Sequence, residues 1–226
     1  MESTQQNKEN RKTGVKRTMR LNENNEVYMA GEIISDFQFS HEVFGEKFYI
    51  FDLKINRLSG KFDVLPIMVS ERILDVTNSP VGADVEIEGQ LRSYNQNTDG
   101  KSKLVLSIFA DVITNLDEPK NANIVTLQGF VCKQPSYRKT PLGRDISDFT
   151  IAVNRPYAKS DYIPCIAWGR NAIYLTEQPV GTEIRIIGRF QSREYTKKFE
   201  NGESEIRTAF EFSVSRLEVV NSECED

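Results

Sequence analysis

The chain has 226 residues, of which 38% are hydrophobic and 27% charged, and its formal net charge is −4 at pH 7. This length supports one or two domains with a sizeable core, and the lack of a 20-residue apolar run argues against a membrane span. Three widely spaced cysteines and one histidine, His41, argue against a disulfide framework and a zinc site. The first residues lack the apolar stretch of a secretory signal, so we expect a cytoplasmic protein with reduced thiols and no cofactor.

Residues 1–21 form a polar segment with six Lys or Arg residues against two Glu residues. A segment with so few apolar side chains cannot bury enough surface to fold, which predicts a disordered basic arm. Such an arm either adds non-specific phosphate contacts or is a solvated tail without a role. The sequence leaves both interpretations open.

From residue 25 onward, short strand patterns alternate with turn signals, and the whole pattern occurs twice. NEVYMAG at residues 25–31 matches NIVTLQG at residues 123–129, at an offset of 98 residues. PVGADVEIEGQLRSY at residues 80–94 matches PVGTEIRIIGRFQSR at residues 179–193, at an offset of 99. This nearly constant offset predicts a duplicated domain, at residues 22–118 and 122–220, with a short linker between the copies and a short acidic tail at residues 221–226.

The second copy predicts strands at about 124–133, 146–156, 161–168, 183–195 and 207–220, and a short helix near 170–178. Five strands with a helix between the third and the fourth are typical of the oligonucleotide/oligosaccharide-binding (OB) barrel. The predicted fold class is therefore all-β: two tandem five-stranded OB-fold barrels, each with one short helix between strands 3 and 4. Gly31, Gly89, Gly129 and Gly188 lie inside strand patterns, where a barrel bends or another backbone comes close.

The segment FTIAVNRPYAKSDYIPCIAWGR, residues 149–170, combines strand alternation with aromatic and basic side chains. Three rings are interleaved with three cations: Tyr157, Tyr162 and Trp168, and Arg155, Lys159 and Arg170. Rings and cations on one sheet face suit stacked bases and a phosphate backbone. They suit equally well a barrel with aromatic core residues and solvated cations, because sheets are rich in aromatics. The pattern alone does not decide between the two.

The same segment resembles the bacterial single-stranded-DNA-binding protein family. The motifs that carry the resemblance are FTIAVNRPY (149–157), DYIPCIAWG (161–169), GRFQSREY (188–195), NIVTLQG (123–129) for the opening N-x-V-x-L-x-G strand and, more loosely, QPSYR (134–138) for the D-P-E-x-R-type turn. They occur in the family's order over roughly residues 122–220. The resemblance implies sequence-independent binding of single-stranded DNA in replication, recombination or repair, and no enzymatic activity.

The resemblance also assigns binding roles to individual residues. Its base-stacking positions fall on Tyr157, Tyr162, Trp168 and Tyr195, and its basic positions on Arg138, Arg170 and Arg193. Sequence proximity adds four more cations: Arg155, Lys159, Lys197 and Lys198. The family often has Trp where this chain has Tyr, which keeps a π-face but reduces its area.

The two predicted barrels differ in charge and in rings. Residues 22–121 carry nine Lys or Arg against seventeen Asp or Glu, a net charge of −8, whereas residues 122–226 carry fourteen of each. The four ring positions correspond, in the first copy, to Ser59, Val64, Ser70 and Gln96. Acidic surface repels phosphate, and stacking contributes about 1–3 kcal/mol per base. We therefore predict that the first barrel binds single strands weakly at best and serves assembly.

Two departures from the family concern partners. The family's tail ends in acids and an apolar tip with a terminal Phe, whereas residues 221–226 are short and lack an aromatic end, which weakens the expectation of replication or repair partners. Most members carry one barrel and form tetramers, so the resemblance implies a homodimer with four barrels here.

The main alternative is an accessory or assembly OB-fold module, of primosome, plasmid or phage type, with weak DNA or RNA binding. An enzyme is unsupported, because no phosphate-binding loop motif occurs and His41 is the only imidazole.

Overall fold

The computed structural model describes residues 24–73, 80–98, 100–199 and 202–220. The predicted basic arm, the acidic tail and the helix of the first copy, which would fall mainly on residues 74–79, lie outside the described residues. Within those residues, no helix is long and apolar enough to cross a membrane.

The described residues form twelve strands and one helix. The first half contains β1 (Asn25–Ile33), β2 (Gln38–Val43), β3 (Glu46–Asn56), β4 (Phe62–Ser70), β5 (Asp84–Thr98) and β6 (Lys101–Asn115). The second half contains β7 (Ala122–Val131), β8 (Ser136–Lys139), β9 (Asp145–Arg155), β10 (Lys159–Trp168), α1 (Arg170–Thr176), β11 (Glu183–Lys198) and β12 (Ser204–Val219). Both halves have the same strand order, and the helix lies between β10 and β11.

Each half closes into a barrel. The strands run in the order β2-β3-β4-β6-β5-β1 in the first half and β7-β11-β12-β10-β9-β8 in the second. Additional pairings of β1 with β3 and of β7 with β9 close the two barrels. The predicted fold class of two OB-type barrels is confirmed, with β2 and β8 as short additional strands.

Period-2 alternation fills each barrel with apolar side chains. In β9, Phe149, Ile151 and Val153 point inward and are buried, and in β11 the ring of Phe190 has no exposed surface. The neighbouring residues along each strand point outward. The two interiors join into one hydrophobic cluster across the barrel junction.

Glycines allow the sharp bends that this closure requires. A Cβ atom on Gly89 or on Gly188 would lie 2.1 Å from a backbone oxygen, that of Phe109 or of Ser213 respectively. The register of each long hairpin shifts beside these glycines. The prediction of close backbone approach is confirmed at these positions, and also at Gly31 and Gly129, where a Cβ atom would lie 2.3 Å from a backbone oxygen.

The barrels are joined edge to edge by antiparallel pairing of β1 with β7 over six residue pairs, from Asn25↔Leu127 to Ala30↔Ala122. One sheet of twelve strands therefore runs through both halves. The hairpin of β11 and β12 extends well beyond its barrel, because pairing continues to Lys198↔Ser204. The two strands of this hairpin are therefore longer than the predicted ones, which end at about residue 195 and begin at about residue 207.

Candidate nucleic-acid interface

The outward side chains of β10, β12 and β11 form one surface on the second barrel, which we call the outer face. On β10, Tyr162 and Trp168 alternate with buried Ile163 and Ala167. On β11, Arg193 and Tyr195 follow the buried Phe190 at odd spacing and therefore point outward. The alternation thus places three of the four candidate rings on the same side of the sheet.

All four candidate rings are solvent-accessible, so none of them is a fully buried core residue. Tyr157 is 94% exposed, Tyr162 51%, and Trp168 and Tyr195 39% each. Tyr157 lies in the turn between β9 and β10 with a positive φ of 63°, an uncommon conformation for a bulky residue. The indole Nε1–H of Trp168 donates to Ser213 Oγ at 3.3 Å, which ties the ring to β12.

The seven candidate cations fall into two groups. Three are ion-paired: Arg138 Nε is 3.0 Å from Asp148, Arg155 Nε is 3.1 Å from Asp161, and Arg193 Nε is 3.9 Å from Glu211. The other four are exposed at element ends: Lys159 at the start of β10, Arg170 at the start of α1, and Lys197 and Lys198 at the end of β11. Cations therefore lie around the rings, but nearby carboxylates pair with three of the seven.

Arg155 lies at the barrel junction and not on the outer face. Its guanidinium contacts the fully buried carboxylate of Asp161, which Arg92 of the first barrel also contacts at 3.3 Å. Among the described residues the Arg155 Nε–H has no well-aligned acceptor, so the contact is an ion pair rather than a hydrogen bond. Two guanidiniums thus share one carboxylate.

Two grooves continue the outer face. One, of about 330 Å³, is lined by Lys133, Thr150, Pro164 and Glu211 between β9, β10 and β12. The other, of about 820 Å³, runs beside Trp168 and contains Arg144 and Arg189. Sequence reasoning did not single out these two arginines, because only the barrel geometry brings them to Trp168.

The end of the β11–β12 hairpin carries a further ring that the sequence reasoning missed. Lys197 Nζ lies 5.2 Å and the Arg207 guanidinium 5.7 Å from the centroid of Phe199. Arg207 is also in register with Tyr195 across the hairpin, and Arg193 lies 6.0 Å from the Tyr195 ring. The hairpin therefore offers alternating rings and cations along its length.

The first barrel has none of the four rings at the matching positions, but it carries other rings. Phe39, Phe62 and Tyr94 are exposed by 60%, 55% and 42%. A groove of about 620 Å³ there includes Tyr94 and Phe109. His41 stacks on Phe48 with 5.0 Å between ring centroids, and its Nδ1 lies 3.0 Å from Ser40 Oγ.

Ionisable groups outside the interface indicate structural roles. Burial raises the pKa of the Cys165 thiol well above its ordinary value, so this cysteine is an inert core residue. In the described part of the chain, no group of three or more His, Cys, Asp or Glu side chains is arranged to hold a metal ion.

Comparison with known proteins agrees with this geometry. Residues 122–220 match the profile of the single-strand binding protein family. The single-stranded DNA-binding protein of Oceanobacillus iheyensis is 35% identical over 80 residues, covering 32% of this chain and 50% of that protein. Single-stranded DNA-binding protein 1 of Staphylococcus aureus is 37% identical over 83 residues, covering 32% and 48%. The chain thus spans about half the length of the curated relatives it matches.

A solved structure shares the fold over most of the chain. The wild-type single-stranded DNA binding protein from Thermus aquaticus superposes with a TM-score of 0.70 and 20% identity, covering 87% of this chain and 93% of that chain. At this identity the similarity concerns the architecture of both barrels, while the family match concerns the second barrel. The second barrel, at residues 122–220, is therefore similar in sequence to the single-strand binding protein family.

Proposed function

We propose that this protein binds single-stranded DNA without sequence specificity and serves replication, recombination or repair. The observation that carries the proposal is the set of exposed rings on the outer face, Tyr162, Trp168 and Tyr195, within the segment that matches the family. Bases stack on such rings whatever their sequence, because every base has a π-face. Tyr157, at the turn beside β10, adds a fourth ring.

Phosphate neutralisation is the second part of the proposed mechanism. Lys159, Arg170, Lys197 and Lys198 are exposed around the rings, and Arg144 and Arg189 lie in the groove beside Trp168. Arg138 and Arg193 must exchange carboxylate partners for phosphates, since both are ion-paired. Arg155 acts indirectly, because it lies at the barrel junction against the buried carboxylate of Asp161, which it shares with Arg92.

The first barrel, at residues 22–118, serves assembly in this proposal. Its net charge is unfavourable for phosphate, and the matching ring positions hold Ser59, Val64, Ser70 and Gln96. We further propose a homodimer with four barrels in the cytoplasm. Ile124 on the central strand β7, 52% exposed beside Tyr28 of β1, supports an interface there. Sedimentation at micromolar concentration is expected to give a dimer, and a clean monomer would contradict this assignment.

Titration of labelled oligo(dT), oligo(rU) and a matching DNA duplex at two salt concentrations tests the function. Tight binding of oligo(dT) alone is expected, with a log–log salt slope of about −0.7 per phosphate neutralised. Equal affinity for oligo(rU) would extend the proposal to RNA. Weak, salt-independent binding of every probe would favour the accessory or assembly module, to which the carboxylates of Asp148 and Glu211 near the outer face lend some support.

A further inference from the structure

A local two-fold axis relates the contacts between the barrels. In the β1–β7 pair, Val27 lies directly opposite Val125, its own counterpart at an offset of 98 residues. A contact from the first barrel to the second therefore has a counterpart in the opposite direction. Two such contacts involve buried carboxylates, Asp63 in the first barrel and Asp161 in the second.

The first contact, which we call the Asp63 clamp, holds Ser192 on β11. Asp63 accepts hydrogen bonds from the Ser192 backbone N–H at 2.8 Å and from Arg57 Nε at 2.7 Å. Arg57 in turn donates to the Ser192 carbonyl at 3.2 Å, and Val64 N–H donates to Ser192 Oγ at 3.2 Å. Three polar groups of one residue in the second barrel are therefore bound by side-chain and backbone groups of the first.

The clamp acts where β11 would otherwise have a free edge. Pairing with β7 ends at Gly188, and the Asn123 side chain satisfies the backbone of Phe190. Ser192 is the next residue whose backbone N–H and C=O point to this free edge of β11. Groups of the first barrel form hydrogen bonds with both. From Arg193 onward the strand is exposed, so the clamp fixes the base of the hairpin that carries Tyr195.

The counterpart, the Asp161 clamp, holds the start of β10. The Ser93 backbone N–H of the first barrel donates to Asp161 Oδ1 at 2.6 Å, and the Tyr162 N–H donates to Ser93 Oγ at 2.8 Å. Arg92 adds an ion pair to the same carboxylate at 3.3 Å. The first barrel thus binds the backbone of a residue whose ring lies on the outer face.

We propose that the first barrel orients the DNA-binding surface of the second, with Asp63 and Ser93 as positioning residues that do not touch DNA. The inference rests on the proposed function and gives the assembly role a definite mechanism. Side chains that are already held in the binding geometry lose little freedom when a ligand binds, so affinity rises without a new contact. The Asp161 clamp binds the backbone of Tyr162 itself, and the Asp63 clamp binds Ser192, three residues before Tyr195.

Affinity for oligo(dT) in the full chain is the first test, using Asp63→Asn, Ser192→Ala and the control Ser70→Ala. We expect Asp63→Asn to weaken binding about tenfold and Ser192→Ala about threefold, since the hairpin side chains must then be ordered during binding. Ser70 is also buried in the first barrel, but its hydroxyl contacts Glu46 and Arg72 of the same barrel. Ser70→Ala should change affinity less than twofold.

A double-mutant cycle separates positioning from general destabilisation. Because the clamp acts through the hairpin, Tyr195→Ala should cost less affinity in the Asp63→Asn background than in the wild type. Trp168→Ala, on β10, should cost the same in both backgrounds. Equal costs of Tyr195→Ala in the two backgrounds would show that Asp63 does not act through the hairpin.

The outcomes distinguish the inference from the function. If the wild type does not bind oligo(dT), the proposed function fails. If the wild type binds, and folded Asp63→Asn and Ser192→Ala bind equally well, the function stands and the positioning role is refuted. Circular dichroism establishes folding, and if Asp63→Asn does not fold, the milder Ser192→Ala decides.

Discussion

Replacing Trp168 by alanine removes the one tryptophan of the chain from the outer face. The substitution should weaken binding of single-stranded DNA while leaving the barrel folded, because the indole lies at the end of β10 and not in the core. Stacking contributes about 1–3 kcal/mol per base when measured by alanine substitution. The indole is only 39% exposed, since part of it packs on β12 through Ser213.

That partial burial favours the lower part of the range, a loss of about 1–2 kcal/mol. At about 1.4 kcal/mol per factor of ten, the dissociation constant should rise roughly 5- to 30-fold. Trp168→Phe keeps a π-face and loses the hydrogen bond to Ser213, so its dissociation constant should rise about threefold, less than for alanine.

Fluorescence anisotropy with labelled oligo(dT) measures these constants, and Tyr174→Ala provides the matched control. Tyr174 is 44% exposed, similar to Trp168, but it lies on α1. The control should bind within about twofold of the wild type. Unchanged affinity of Trp168→Ala, or equal losses for Trp168→Ala and Tyr174→Ala, would refute the assignment of the indole to the DNA surface.

Three further predictions concern the fold. Gly188→Ala places a Cβ atom 2.1 Å from the Ser213 carbonyl oxygen, so urea unfolding should show a loss of about 1–3 kcal/mol, and wild-type stability would contradict the close approach. Hydrogen bonds from Lys120 and Tyr28 lower the pKa of Glu86 in the folded protein. The stability that these hydrogen bonds add is therefore fully present at pH values above 4.5, the ordinary pKa of the carboxyl group. It is lost as pH falls through the lower pKa of the folded state. Lys120→Met should therefore be less stable than the wild type at pH 7, and the difference should shrink as pH falls below 4.5 in thermal melts, whereas a constant difference would exclude the linkage. Cys165 should resist iodoacetamide until the protein unfolds, as site-resolved mass spectrometry can show, since burial raises its pKa; rapid native labelling would place it outside the core.

Much of the fold could be predicted because the buried strands alternate. Phe149, Ile151 and Val153 predict β9 by period 2, and the repeated glycines mark the bends. β2 and β8 have no buried residues, so no alternation marks them. Residues 196–198 at the end of β11 are exposed as well and show no alternation, so the sequence predicts that this strand ends at about residue 195.

The sequence predicts which rings of the candidate site face solvent, but not which of its cations are paired with carboxylates. Strand parity and the family motifs place Tyr162, Trp168 and Tyr195, and the structure shows all of them exposed. Whether a cation is neutralised depends on strand neighbours, as in the pairs of Arg138 with Asp148 and Arg193 with Glu211. These neighbours follow from register, which local sequence does not specify.

The contacts between barrels depend on register even more strongly. Asp63 and Ser192 are 129 residues apart in sequence and meet only because β1 pairs with β7 about Val27 and Val125. The sequence repeat predicts two similar barrels but not which edges join. The clamps therefore became visible only with the structure.

Photo-crosslinking of a 5-iododeoxyuridine-substituted oligo(dT) to the full chain, followed by peptide mapping, shows which barrel holds the DNA. We expect crosslinks to residues 157–168 and 190–199 of the second barrel, at Tyr157, Tyr162, Trp168 or Tyr195, the four candidate rings, all of which are exposed. Crosslinks confined to residues 38–109, which include the exposed Phe39, Phe62 and Tyr94, would contradict it. In that event the first barrel would be the DNA-binding unit, and the roles proposed for the two barrels would be exchanged.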